Sequence, residues 1–352
     1  MKKIFRFFKY LLLTVFAIIL ISILYVFISN KIFIGGKDSE FTDYLKNNHT
    51  VVAQTTDGQL FDDHFYNSQV ILLGEIHGFA DNQKLDLGLL KFLNQKAGVK
   101  YYIAEMDSTY SHKLDLFLHG NTKDQNLLKE VVLAVKKRIP QQSSKELMDK
   151  WNNIYDYNQT LNDSLKISVL GIDTDFNDNS RKISRDSAMI MNFKNTVKKL
   201  NLEHEKFYGL FGFYHVLQDG VKINEKPFAE RLKNSGFKTS SIVSYPLDSE
   251  MYLPKNPQFP TPEDEKIGWI NADGPFMLVK GINNLKDLAK PNSITLFRLN
   301  ASNSPYQHTD QLISVKSRMF GESFTPKQNT QTLDYFQYVV ITRNSKALTP
   351  IQ

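Results

Sequence analysis

The sequence predicts an α/β protein with a mostly parallel central sheet, helices on both faces, and one transmembrane helix at the N-terminus. Three observations carry this. Short apolar bursts recur along the chain, amphipathic stretches of helical period separate several of them, and the first 34 residues hold a long apolar run with a basic flank. Strand, helix and strand in alternation call for parallel pairing with crossover helices on either side of the sheet.

Taken in order, the chain opens with an apolar segment. Leu11 to Ile28 is a run of eighteen residues without a charge, and Ile32 to Ile34 can extend it past Lys31. That length suffices for a helix to cross a bilayer. Lys2, Lys3, Arg6 and Lys9 flank it with no acidic residue, so the positive-inside rule places the N-terminus in the cytoplasm and the rest outside it, in a periplasmic or similar space. A cleaved signal peptide would have a shorter apolar core and a small-residue cleavage site, where this chain has SNKIFIGG. Residues 1–34 therefore read as an uncleaved signal anchor and residues 35–48 as a polar stalk that ends in a short helix. Residues 49–352 read as a single α/β domain of catalytic type.

Within that domain the bursts are Val70 to Leu73, Tyr101 to Ala104, Ile167 to Gly171, Phe207 to Gly212, Ser241 to Ser244, Phe276 to Val279, Ile294 to Phe297 and Tyr335 to Ile341. Leu85, Leu89, Leu90 and Phe92 lie near helical spacing ahead of Gly98, a residue suited to a helix C-cap. Ile183, Met189, Ile190, Phe193 and Val197 form a second stripe with a basic last turn. The stretch 113–162 reads as a helical insertion that roofs the site, and Met251 to Pro262 as an extended proline-rich loop.

Composition excludes several classes. The net charge of +6 invites a nucleic-acid reading, but the first 37 residues hold six basic and no acidic side chains. Removing those six from 43 Lys and Arg leaves 37 against 37 Asp and Glu. The basicity belongs to the membrane flank, and no nucleic-acid partner is expected. The chain has no cysteine, which rules out disulfides, thiol catalysis and a lipid-modified cysteine. It has no Gly-x-Ser-x-Gly elbow, Walker loop, Gly-x-Gly-x-x-Gly or His-Glu-x-x-His motif. Serine-hydrolase, nucleotide-binding and zincin mechanisms are thereby disfavoured.

Candidate chemistry lies at the ends of the bursts. Glu75 and His77, Glu105 and Asp107, Asp173 and Asp175, His215, and Tyr245 each follow an apolar run. In a parallel sheet such ends converge on one crevice. Asp107 also suits the cap of the next helix, and Asp173 and Asp175 suit a turn. GEIH and GFYH repeat Gly-x-x-His at two strand ends, which raises His215 above an ordinary core histidine. His49, His64, His112, His119 and His308 stand in polar surroundings and read as surface residues.

LLGEIHG followed by YYIAEM about 30 residues on resembles the opening of the erythromycin esterase-like, ChaN-like and Tiki/TraB proteins. RDSAMIMN, with Arg185, Asp186, Met189 and Asn192, is similar to the arginine-bearing helix of the esterases, and KFYGLFGFYHV to the strand and histidine that come next. The resemblance spans roughly Val70 to Tyr245. The Glu–His spacing of GEIHG is closer to the ChaN and Tiki pattern, and Gly212 stands where the esterases carry an extra histidine. The resemblance implies a parallel α/β core and a choice among hydrolysis, metal-dependent proteolysis and haem binding. The leading expectation is a membrane-anchored hydrolase of an ester or amide bond in a small-molecule or peptide substrate. In it His77 is general base, Glu75 or Glu105 orients it, His215 is a second proton-transfer group, and Arg185 binds an oxyanion or carboxylate. Asp173 and Tyr245 are candidate substrate-binding residues. Either no cofactor is used, or a divalent metal (Zn, Mn or Co) sits between His77, His215 and a carboxylate. The alternative is a haem- or metal-binding envelope protein without catalysis.

Overall fold

A computed structural model describes residues 2–52, 60–177, 183–221, 225–256, 261–317 and 323–351. The chain begins with helix α1 (Lys2–Ile34), whose apolar side chains are exposed along almost its whole length. It is long and apolar enough to span a membrane. Helix α2 (Ser39–Asn47) follows after four residues, capped by the Asp38 carboxylate. Residues 35–48 are thus mostly helix, and Phe41 and Leu45 are buried in the domain core. The remaining elements are β1 (His49–Val52), α3 (Asp63–Tyr66), β2 (Val70–Glu75), α4 (Ala80–Ala97), β3 (Tyr101–Ala104), α5 (Ser108–His119), α6 (Gln125–Val135), α7 (Lys145–Gln159), β4 (Ser168–Gly171), α8 (Arg185–Lys199), β5 (Phe207–Gly212), α9 (Phe228–Asn234), β6 (Thr239–Leu247), β7 (Met251–Tyr252), β8 (Lys266–Ile267), β9 (Met277–Val279), α10 (Asn283–Lys286), β10 (Ile294–Arg298), β11 (Val315–Ser317), α11 (Thr332–Tyr335) and β12 (Tyr338–Arg343).

Eight strands form one sheet in the order β1-β10-β12-β6-β2-β5-β3-β4. From β12 to β4 all neighbours are parallel, and β10 alone runs against them. Strand β2 lies near the centre, and all six of its residues are buried, as a strand covered on both faces requires. One face packs under α2, α8 and α9, with Phe41, Met189, Phe193, Phe228 and Leu232 in its core. The other lies under α4 to α7, with Leu89, Phe117, Trp151 and Ile154.

Three expectations from the sequence are corrected. The burst Phe276 to Val279 gives the three-residue β9, which pairs antiparallel with β11 in a separate two-stranded ribbon. Tyr335 closes helix α11, and the last strand starts only at Tyr338. The edge strand β1 was unforeseen, since HTVV is short and only partly buried. Ile183 precedes the helix it was assigned to and is exposed. Part of the proline-rich loop, residues 257–260, lies outside the described residues.

Candidate functional site

The C-terminal ends of β2, β3 and β5 meet beneath the turn Phe213–Val216, and the helix-starting residues of α8 lean in beside them. Glu75, the last residue of β2, is buried. Its Oε1 accepts the Nδ1–H of His77 at 2.9 Å and the side-chain amide of Gln142. A carboxylate only accepts, so Nδ1 carries the ring proton and Nε2 is left with its lone pair. Gly78 makes this turn possible: its φ of 102° is left-handed, and an added Cβ would stand 2.6 Å from the Tyr252 carbonyl oxygen. The pKa of His77 is raised. Burial opposes the imidazolium, and the hydrogen bond and charge of Glu75, with the charge of Glu105, outweigh it.

The second half of the site is an ionic cluster. Glu105, just past β3, accepts the Gly212 N–H at 2.9 Å through Oε2 and faces Arg185 Nη2 at 2.7 Å through Oε1. Burial alone would raise its pKa, but Arg185 and the two histidines hold it down at about 2. Arg185, the first residue of α8, also donates to Asp173 Oδ2 through Nε at 2.9 Å and through Nη2. Desolvation works against the guanidinium and the two carboxylates more than compensate, so it stays charged. His215 Nδ1 lies 2.7 Å from Asp186 Oδ1, which also accepts the Phe228 N–H at 2.6 Å. Its Nε2 lies 3.3 Å from Arg185 Nη1, a donor. Glu105 Oε1, an acceptor, lies 3.4 Å from the same Nε2, so the ring is held from both sides.

Gly212 joins the halves. A Cβ there would come 3.2 Å from His77 Nε2 and 3.5 Å from His215 Cδ2, so the two rings flank its α-carbon and a side chain would press on His77. Glu75, His77, Gly212 and His215 open into a cavity of about 330 Å³ whose remaining walls are largely apolar, among them Phe213, Tyr245, Met251, Ile270, Val315 and Phe324. Arg185 and Glu105 stand behind His215 and do not line it.

The structure thus brings together Glu75, His77, Glu105, Arg185 and His215, and Glu75 is the partner of His77. Asp173 anchors Arg185 and faces away from the cavity. Tyr245 lends its ring to the wall, its hydroxyl being bonded to the Leu312 carbonyl. Asp107 is the cap of α5, accepting the Tyr110 N–H at 2.9 Å, and Asp175 closes a turn. His64, His112, His119 and His308 are exposed, while His49 is half-buried and stacks on Phe297. The stretch 113–162 forms α6, α7 and the end of α5; Gln141 and Gln142 reach the cavity and Arg138 pairs with Asp173 at 3.8 Å. Three contributors escaped the sequence reading. Asp186 sits beside Arg185 and was within sight, Gly212 was read as part of a strand, and Gln142 lies in a polar segment that gives no periodic signal.

No family model and no curated protein matches this chain. Among solved structures, a Bacillus cereus protein superposes with a TM-score of 0.61 at 11% identity, over 89% of this chain and 99% of that one. A succinoglycan biosynthesis protein superposes with a TM-score of 0.59 at 12% identity, over 90% and 100%. An erythromycin esterase in an open conformation gives 0.48 at 11% identity, over 84% and 98%. At such identities a likeness shows shared fold alone. What the first two share with this chain is therefore its fold, an α/β core of the kind expected from the sequence.

Proposed function

We propose that this protein is a membrane-anchored hydrolase of ester or amide bonds, acting outside the cytoplasm. The observation that carries the reading is the His77 ring, with Nδ1–H fixed on a buried carboxylate and Nε2 without a partner among the described residues, at a largely apolar cavity. That is the arrangement of a general base: the carboxylate selects the tautomer and stabilises the imidazolium that forms when Nε2 takes a proton from water. His215, on the far side of Gly212, closes the cavity wall with both ring nitrogens engaged by Asp186, Arg185 and Glu105. Arg185, outside the cavity wall, is held by Glu105 and Asp173 and braces His215 from behind through Nη1.

The metal-assisted variant fits these residues less well. Both nitrogens of His215 already have partners, and the Arg185 guanidinium occupies the position between Glu105 and His215 that a cation would take. Among the described residues, no group of three or more His, Asp or Glu is arranged to hold a metal. Haem binding has one observation in its favour, since a histidine pinned through Nδ1 and open at Nε2 suits an axial ligand. In that case His77 would be the ligand, and a haemin titration would give a Soret shift that His77→Gln abolishes.

The N-terminal flank of Lys2, Lys3, Arg6 and Lys9 supports an N-terminus in the cytoplasm. The test of the hydrolase reading is a panel of aryl esters and anilides presented to the full chain in detergent or vesicles. Turnover that His77→Gln removes supports it. Turnover equal in both proteins, or none with any member alongside a haemin Soret shift, overturns it.

A further inference from the structure

The cavity beside His77 has an unusual wall. Met277 of β9 and Val315 and Ser317 of β11 line it. Successive side chains of a strand point to opposite faces. Lys316 accordingly points the other way, and its ammonium lies 4.2 Å from the centroid of the Phe33 ring in the last turn of α1. The β9–β11 ribbon has the cavity on one face and the membrane helix on the other. It separates them by one layer of backbone.

The mount is short and tight. The Ile34 carbonyl accepts the Gly281 N–H at 2.9 Å, the Gly35 carbonyl accepts the Asn283 side-chain amide at 2.8 Å, and the Asp38 N–H donates to Asn284 Oδ1 at 2.9 Å. Helix α2 then plugs into the core through Phe41 and Leu45. These bonds leave no slack between α1 and the domain, so a bilayer spanned by α1 would lie close to the β9–β11 ribbon. Trp269 and Phe276, each one residue before a lining residue of the cavity, pack ring to ring at 4.8 Å, with Phe276 38% exposed. Within the cavity, the polar groups Glu75, His77 and His215 sit together and most of the other walls are apolar. A wholly polar solute would leave those walls unsatisfied.

From this geometry we infer that the site takes a bilayer-resident amphiphile, with its apolar acyl chain against the β9–β11 ribbon and its ester or amide bond at His77. The chain's place rests on the membrane mount, and the bond's fate rests on the hydrolase reading. In that step water gives its oxygen to the acyl carbon, the bond to the leaving oxygen or nitrogen breaks, and the water proton taken by His77 is balanced by one delivered to the leaving group.

The test uses the full chain in phosphatidylcholine vesicles with a fatty acyl ester that carries a photoactivatable diazirine in its chain. The His77→Gln variant is used so that the probe is not consumed. Label is expected on the segments holding Met277 and Val315, and it should fall severalfold in Ser317→Trp, which narrows the cavity from a half-buried position. Label confined to α1 overturns the proposal. A parallel assay compares nitrophenyl acetate with nitrophenyl octanoate. Each buried methylene is worth about 0.8 kcal/mol, about fourfold, so the octanoate should be hydrolysed at least tenfold more efficiently. Equal rates that depend on His77, without label in the cavity, refute the chain site and leave the hydrolase reading standing. Label in the cavity without turnover refutes the hydrolase reading and leaves the chain site standing.

Discussion

Replacing Glu75 with glutamine should move the acid limb of the pH–rate profile to lower pH and lower its plateau. In the native site the His77 Nδ1–H donates to a buried carboxylate oxygen at 2.9 Å. That bond and the carboxylate charge raise the pKa of His77 against the opposing effect of burial. The active form of a general base is neutral, so activity grows as pH rises through this pKa. Glutamine keeps the shape and can still accept from Nδ1–H, but it lacks the charge. A hydrogen bond to a charged group is worth about 1.5–3 kcal/mol and a neutral one about 0.5–1.5 kcal/mol. The difference, about 1–1.5 kcal/mol, makes the imidazolium roughly tenfold less favourable. The same loss applies to the imidazolium forming in the transition state, so the plateau should fall about tenfold. The assay is kcat/KM against pH for the best ester of the panel, wild type beside Glu75→Gln. An unmoved limb with an unchanged plateau would refute the assignment of Glu75 as the partner of His77.

Further outcomes follow from the ionic cluster and the packing around it. Arg185→Lys removes the forked contact to Asp173 and the brace behind His215 and should lower kcat with a smaller change in KM, as read from steady-state kinetics. Glu105, with its pKa held at about 2, stabilises the fold fully above pH ~4.5, and its share of about 3 kcal/mol is lost as pH falls from there to about 2; Glu105→Gln should flatten that part of an acid-unfolding curve. Gly212→Ala presses on the His77 ring at Nε2 and should cut turnover about tenfold while leaving the melting temperature within a few degrees, as read by thermal unfolding beside activity. Lys150, 3% exposed, donates to Asp86 Oδ2 at 2.6 Å beneath the opposite face of the sheet; Lys150→Ala strands that buried carboxylate and should cost about 3–5 kcal/mol in denaturant unfolding.

The central parallel sheet and most of the site could be read from residue order because both depend on local pattern. Strands such as Val70–Glu75 and Phe207–Gly212 are buried on both faces and stand out as apolar runs, and a parallel sheet brings their far ends together whatever the distance along the chain. This is why Glu75, His77, Glu105 and His215 could be grouped although His215 lies 140 residues beyond Glu75. Roles within the group depend on orientation, which pattern does not encode. Asp173 and Tyr245 follow bursts as faithfully as Glu105 does, yet one turns toward Arg185 and the other is bonded to a loop carbonyl. Gln142 reaches Glu75 from a single turn between α6 and α7, where PQQSSK could have faced anywhere. The β9–β11 ribbon escaped for a related reason, since strands of three residues carry too little periodicity to show their partner.

The central claim is that His77 acts as a base on a substrate in the cavity, and the most direct measurement is chemical rescue of His77→Ala in the full chain. Truncating the ring leaves space at the cavity wall beside Gly212, where free imidazole can enter. The account predicts that turnover of the best ester falls about 10²–10⁴-fold and recovers in proportion to added imidazole, with the neutral form of imidazole as the active species across the pH range. Turnover undiminished in His77→Ala would contradict it.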